Sequence, residues 1–271
     1  MRGVRRHLSL MRHTLSLSFA KNALWFLFVA LLAIGSSSCK DEKDEPDNPF
    51  EIENNNSQNL SVTINSDGST TGGAVFSRID EKTFYLDYVK YLIYNAHLEI
   101  IGCDRVELPS VPKLYAEVIL DGTLYKTRRL SSYASYSYSS GPFAQTQIKS
   151  ISIPYTVQEI GPRVFTGCSS LTTIKLPAEL TGIAQDCFSG CCSLESISLP
   201  AKLTYIGPDC FLGCSSLKEL TFKSDIPESV NINWYGLYSI ESKPVAYVPK
   251  QFLTHYEQSK FAKYFSEIIG Y

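Results

Sequence analysis

The chain has 271 residues, of which 25 are Lys or Arg, 27 are Asp or Glu and 44% are hydrophobic, for a formal net charge of −2. That hydrophobic fraction excludes a wholly disordered protein, and the length allows one large domain or two small ones. A near-neutral charge excludes a surface built to grip nucleic acid, which needs a basic excess. Outside the N-terminus the one basic cluster is Lys126, Arg128 and Arg129, too small to follow a phosphate backbone.

Residues 1–38 hold five basic residues (Arg2, Arg5, Arg6, Arg12, Lys21) and no acid, with a 12-residue apolar run from Ala23 to Ile34. As a helix at about 1.5 Å per residue that run spans roughly 18 Å, short of a bilayer core of about 30 Å. A charged start, a short apolar core and then small residues form the pattern of a secretory signal peptide. Met11 offers a second start with a shorter lead. Cys39 follows Gly35, Ser36, Ser37 and Ser38 directly. This resembles a bacterial lipoprotein processing site, where the thiol forms the thioether to diacylglycerol; Ser36 departs from the aliphatic residue usual there. The next residues, KDEKDE at 40–45, resemble the acidic segment behind the lipidated Cys of surface-displayed Bacteroidetes lipoproteins. The resemblance implies lipidation at Cys39, a place on the cell surface at the outer membrane, and membrane contact through the lipid alone. Residues 39–56 carry seven acids, two lysines, Pro46, Pro49 and an Asn run, the composition of an acidic flexible tether.

A 23-residue period organises the centre. Ile151-Ser-Ile-Pro154, Ile174-Lys-Leu-Pro177 and Ile197-Ser-Leu-Pro200 stand 23 apart. So do Ile160, Ile183 and Ile206; Phe165, Phe188 and Phe211; Gly167, Gly190 and Gly213; Cys168, Cys191 and Cys214; and Leu171, Leu194 and Leu217. The I-x-(I/L)-P piece alternates inward and outward and reads as a short strand stopped by Pro. The Phe fills the coil interior, and the Gly behind it permits a turn that a side chain would block. One unit cannot bury its own apolar face, whereas stacked units share a core, with rungs about 4.8 Å apart.

These residues, Ser150 to Lys218, resemble the BspA-like class of bacterial leucine-rich repeats, with unit L-x-x-I-x-L-P-x-x-L-x-x-I-G-x-x-A-F-x-G-C-x-S. Gly182-Ile183 inverts the usual Ile-Gly order, and Val164, Cys187 and Cys210 stand where the class often has Ala. The resemblance implies a leucine-rich-repeat solenoid, mainly short β-strands with irregular or 3-10 turns. Regular repeats are expected over 150–222. Residues 57–149 read as an N-terminal β cap and degenerate first repeats: a hairpin over 59–95 around Asp67-Gly68 and Gly72-Gly73, irregular rungs at 98–109 and 115–130, and Phe143-Ala144 one residue too near Ile148. Residues 223–271 read as a C-terminal cap, with strand Val245–Pro249, an amphipathic helix through Phe252, Tyr256, Phe261 and Phe265, and a last strand Glu267–Tyr271.

No hydrolase, phosphate-loop or dinucleotide motif is present, and the reading assigns no catalytic residue, metal or cofactor. Asp186 and Asp209 repeat at 23 and invite comparison with a glycosidase pair; turn residues beside Arg163 explain them better. His97 and His255 read as packed or solvated. The cysteine columns read as a core ladder, and export leaves a Cys187–Cys210 disulfide open. Strand alternation points Ser150, Ser152, Thr173, Lys175, Ser196, Ser198, Glu219 and Thr221 outward. Tyr133, Tyr136 and Tyr138, set among serines, form a composition used in binding surfaces. The binding candidates are therefore Tyr133, Tyr136, Tyr138, Thr173, Lys175, Ser196, Ser198, Glu219 and Thr221. The class resemblance implies adhesion to a host or bacterial surface protein, and a glycan-binding accessory of a polysaccharide uptake system is the alternative. Residues 57–271 hold 18 basic and 20 acidic residues, so shape and Tyr contact are the expected means of binding.

Overall fold

The computed structural model describes residues 60–131, 141–224, 243–259 and 262–271, all within one compact unit, 48–271. Each regular repeat contributes two strands, because each has two apolar stretches separated by a Pro-closed corner. The first stretch forms β8 (Ser150–Ser152), β10 (Thr173–Lys175), β12 (Ser196–Leu199) and β14 (Glu219–Phe222). The second forms the two-residue strands β9 (Glu159–Ile160), β11 (Gly182–Ile183) and β13 (Tyr205–Ile206). Except for β10 and β12, which do not pair, like strands pair in parallel at the 23-residue offset, Ile151 with Ile174 and Ile160 with Ile183. This is the expected leucine-rich-repeat solenoid.

A third side of each coil is held by the turn that carries the Phe. Phe143, Phe165, Phe188 and Phe211 stack face to face, with centroids 5.5–5.7 Å apart and planes within 14°. All four are fully buried. The amides of Phe165 and Phe188 donate to the carbonyls of Cys187 and Cys210 in the next rung, each at 2.9 Å. Gly167, Gly190 and Gly213 sit at φ between 71° and 75°, where a side chain is strained. A Cβ on Gly190 would also stand 3.4 Å from the Cα of Gly167. In the shortened first rung Gln145 takes this place at φ 59°. Thr146 stands where the later rungs have Cys, its hydroxyl donating to the Phe143 carbonyl at 2.7 Å.

The N-terminal cap is β, as expected, but it is not the expected hairpin. Asp67-Gly68 turns the chain into one isolated bridge, Ile64 to Thr70. The strand before it, β1 (Ser61–Ile64), pairs in parallel with β6 (Glu117–Leu120). The antiparallel part begins later: β2 (Phe76–Arg78), β3 (Thr83–Leu86), β4 (Val89–Tyr94) and β5 (His97–Cys103) form a meander. β7 (Thr123–Leu130) pairs with β6 antiparallel and with β5 and β9 in parallel, which joins the meander to the second ladder. Two meander turns, Asp87-Tyr88 (φ 46° and 69°) and Asn95-Ala96 (φ 46° and 64°), place two non-glycine residues in left-handed backbone. That geometry matches the right-handed twist of tight hairpins.

At the other end β15 (Val245–Val248) and β16 (Glu267–Gly270) extend the first ladder. Helix α1 (Leu253–Gln258) crosses between them, shorter than the apolar spacing predicts, with 3-10 turns at Lys250–Phe252 and Ala262–Tyr264. Tyr256 and Phe265 close the core against Phe222, with centroids at 5.3 and 5.8 Å. Phe261 lies outside the described residues.

Candidate functional site

The outer face of the first ladder brings the predicted strip together. Strand register sets Ser150 beside Thr173, Ser152 beside Lys175, Ser196 beside Glu219 and Ser198 beside Thr221. Thr173, Lys175, Ser196 and Glu219 are exposed; Ser150, Ser152, Ser198 and Thr221 are half-buried. The strip runs further than the sequence reading carried it. Val245 follows Glu219, Tyr247 follows Thr221, and Glu267 and Ile269 follow those. The alternation in Val245-Ala-Tyr-Val-Pro249 was the signal for this extension. One end is therefore small and hydroxylated, and the other carries Tyr247 and Ile269. Tyr133, Tyr136, Tyr138 and Cys39 lie outside the described residues. The roots of the Tyr-rich loop are described: the Ser131 amide donates to the Ile100 carbonyl (3.0 Å), and the Gly141 amide donates to that of Arg163 (3.2 Å).

The second ladder presents a row that the sequence reading missed: Glu99, Arg129, Glu159, Gly182 and Tyr205, aligned by strand register. Arg129 bridges Glu99 (3.8 Å) and Glu159. Glu99 is only 6% exposed, and His97 Nε2 lies 3.5 Å from its carboxylate. Lys126 pairs with Glu117 at 3.2 Å. Two of the three residues in the basic cluster are thus matched by acids.

Asp186 and Asp209 share the outer turn with Arg163, all three at φ between 53° and 59°. Arg163 donates to one Asp186 oxygen through Nε (3.1 Å) and lies 3.0 Å from it through Nη2. That carboxylate has a structural partner. Among the described residues no group of three or more His, Cys, Asp or Glu side chains could hold a metal ion. No described helix is long and apolar enough to cross a membrane.

The repeat cysteines form a core ladder. Cys168, Cys191 and Cys214 donate to the carbonyls of Phe143, Phe165 and Phe188, one rung back, at 3.0–3.2 Å. Cys187 and Cys210 are also fully buried, and both are free thiols. Burial pushes the Cys187 and Cys191 thiols well above their ordinary 9.0 and Cys103 up to about 11. In the cap, burial likewise raises the Tyr91 and Tyr115 phenols, and Asp87, 2.6 Å from the Tyr115 hydroxyl, adds to the second shift. A folded-state pKa raised above the unfolded one gives stability that is full below the unfolded value and is lost as pH rises. Thermal melts are therefore expected to hold steady at neutral pH and to fall progressively above about pH 9, where unfolded thiols and then phenols ionise. Cys187→Ala should flatten the first part of that fall.

Stacked parallel rungs, an internal aromatic column and strand-built outer faces define a leucine-rich-repeat protein. Residues 137–255 match the BspA type leucine rich repeat region, in six copies. Within those residues the repeats are similar to the BspA type. No curated protein matches the sequence. Among solved structures it is similar to a leucine-rich repeat protein from Bacteroides capillosus (20% identity, TM-score 0.45, covering 53% of this chain and all of that one). It is also similar to the T. pallidum leucine-rich repeat protein (21%, 0.49, 67% and 78%). A third is a leucine-rich repeat protein from Bacteroides ovatus (18%, 0.41, 69% and 52%).

Proposed function

We propose that this is a lipid-anchored surface protein whose solenoid binds another protein by adhesion-type contact. The observation that carries the reading is the outer strip of the first ladder. Two paired runs, β8-β10 and β12-β14-β15-β16, with strands about 4.8 Å apart within each run, give the extended kind of face that solenoids use for binding. Its polar groups are small and its charges few, which favours shape and hydrogen bonding over electrostatic capture. Tyr247 and Ile269 at one end supply the apolar contact that such interfaces concentrate in their centre. The Tyr-rich loop, with Tyr133, Tyr136 and Tyr138, is a second contact element by its composition. The signal-like start, Cys39 and the acidic segment behind it support anchoring on the outer membrane facing outward.

The test uses the full chain in membranes and the purified protein against panels of host matrix proteins, bacterial surface proteins and polysaccharides. A protein ligand is expected, with affinity falling at least about tenfold in Tyr247→Ala and Lys175→Glu, consistent with loss of a contact worth 1–2 kcal/mol. Binding to polysaccharide alone would replace this reading with the glycan-binding accessory. Cys39→Ala should release the protein from membranes; retention would overturn the anchor.

A further inference from the structure

The first ladder is parted at one place. β8 pairs with β10 over three residue pairs, and β12 with β14 over four, but β10 and β12 do not pair. The bonds flanking the strands show the same gap. Thr172 donates to Lys149 at 2.9 Å and Lys218 to Glu195 at 2.8 Å, while Glu195, the same position in the rung between them, makes no such bond to Thr172. Ile153 donates to Lys175 at 2.9 Å, and Leu176 makes no matching bond to Ser198. Side chains register the opening as well. Ile174 is 7% exposed, against 2%, 3% and 0% for Ile151, Ile197 and Leu220 in the same column. Leu176 is half-buried where Ile153, Leu199 and Phe222 are buried. The Ser198 hydroxyl, at the lip of the gap, is buried with no hydrogen-bond partner.

The other two sides of the same pair of rungs are closed. Gly182 and Ile183 pair with Tyr205 and Ile206. Asp186, Phe188 and Gly190 donate to Pro208, Cys210 and Leu212 at 2.7–2.9 Å, and the rings of Phe188 and Phe211 stay stacked. A coil joined on two sides and parted on the third can rotate about the joined sides while its core stays packed.

We infer that the gap between Thr173–Lys175 and Ser196–Leu199 is a hinge, at which the solenoid changes the curvature of its first-ladder face. The hinge divides the strip between Lys175 and Ser198, with two strands on one side and four on the other. If the strip is the binding face, as proposed above, the hinge lets its two parts tilt to fit a partner. That use rests on the binding reading; the hinge itself does not.

Amide hydrogen exchange on the purified full chain, with no partner present, tests the hinge alone. Local opening sets the exchange rate of each amide. Glu195 should exchange at least about tenfold faster than Thr172 and Lys218, its equivalents one rung either side, and Leu176 at least about tenfold faster than Ile153. Equal protection at the three rungs would overturn the proposal, whatever the protein binds. Ser198→Ala gives a second readout. Removing a buried hydroxyl that has no partner should leave the melting temperature unchanged or raise it. A fall of several degrees would show the hydroxyl bonded and the gap closed.

Discussion

Phe188→Ala is expected to lower the stability of the solenoid by about 3–5 kcal/mol, the range for emptying a fully buried aromatic site. Its ring lies 5.5 Å from Phe165 and 5.7 Å from Phe211, nearly parallel to both. The cavity would open in the middle of the stack, where neither neighbour can move without leaving its own rung. Each kcal/mol is worth roughly 2–4 °C in a domain of this size, so the melting temperature should drop by about 10 °C. Phe188→Leu keeps most of the volume and should cost less than half as much. Denaturant unfolding followed by circular dichroism measures both. A loss under about 1 kcal/mol for the Ala variant would mean that the column does not carry the core. Because repeat arrays propagate through nearest neighbours, a broadened or two-step transition is also expected as the two halves lose coupling.

Gly207→Ala is expected to be at least as damaging, for a steric reason. A methyl at Gly207 would stand 2.2 Å from the Gln185 amide nitrogen and 2.6 Å from the Ala184 carbonyl carbon. Both are backbone atoms of the adjacent rung, and the Gly207 amide is bonded into that rung, donating to Ile183 at 2.8 Å. The chain cannot retreat without breaking the second ladder, so a loss of about 3 kcal/mol or more, the upper end of overpacking costs, is predicted. Gly182→Ala is the control. Its new methyl would meet nothing closer than the Tyr205 ring at 4.0 Å, and its cost should stay below about 1 kcal/mol by thermal melt. The two glycines stand in equivalent stretches of successive rungs, yet they answer to different constraints, because the Gly-Ile order of the middle rung is inverted. There Ala184 occupies the place taken by Gly161 and Gly207 in the rungs beside it.

The 23-residue period carried most of the fold. It predicted that Ile151 would stack on Ile174, that Phe165, Phe188 and Phe211 would meet in the interior, and that the Cys columns would be packed; it also set Ile197 next to Ile174, where the strands do not pair. A repeat states the same constraint three times over, and parallel in-register stacking is the simplest way for identical units to bury identical faces. The outward strip was legible for the same reason: alternation along a strand decides which side chains point out. It was cut short at Thr221 because 23-residue spacing fails there. Glu219 pairs with Val245, 26 residues on, so counting by period passes the strand that pairing finds.

The N-terminal cap was decided by tertiary structure. Asp87-Tyr88 and Asn95-Ala96 carry no glycine to announce a tight turn, and the strands on either side hold them in left-handed backbone. β1 turns away from its neighbours to pair with Glu117–Leu120, more than fifty residues on, a choice settled by which edge lay open in the assembled sheet. The Arg129–Glu99–Glu159 row arose in the same way, from three strands far apart in sequence. The gap between β10 and β12 is the clearest case. The repeats on either side have the same length and nearly the same residues, so no local signal marks it. By itself the sequence determined the period, the inward columns and the outward strip, because each is a local rule repeated. Which rungs close, which strands cap the ends and where the ladder parts were decided only in three dimensions, where backbone groups from distant segments compete for one edge.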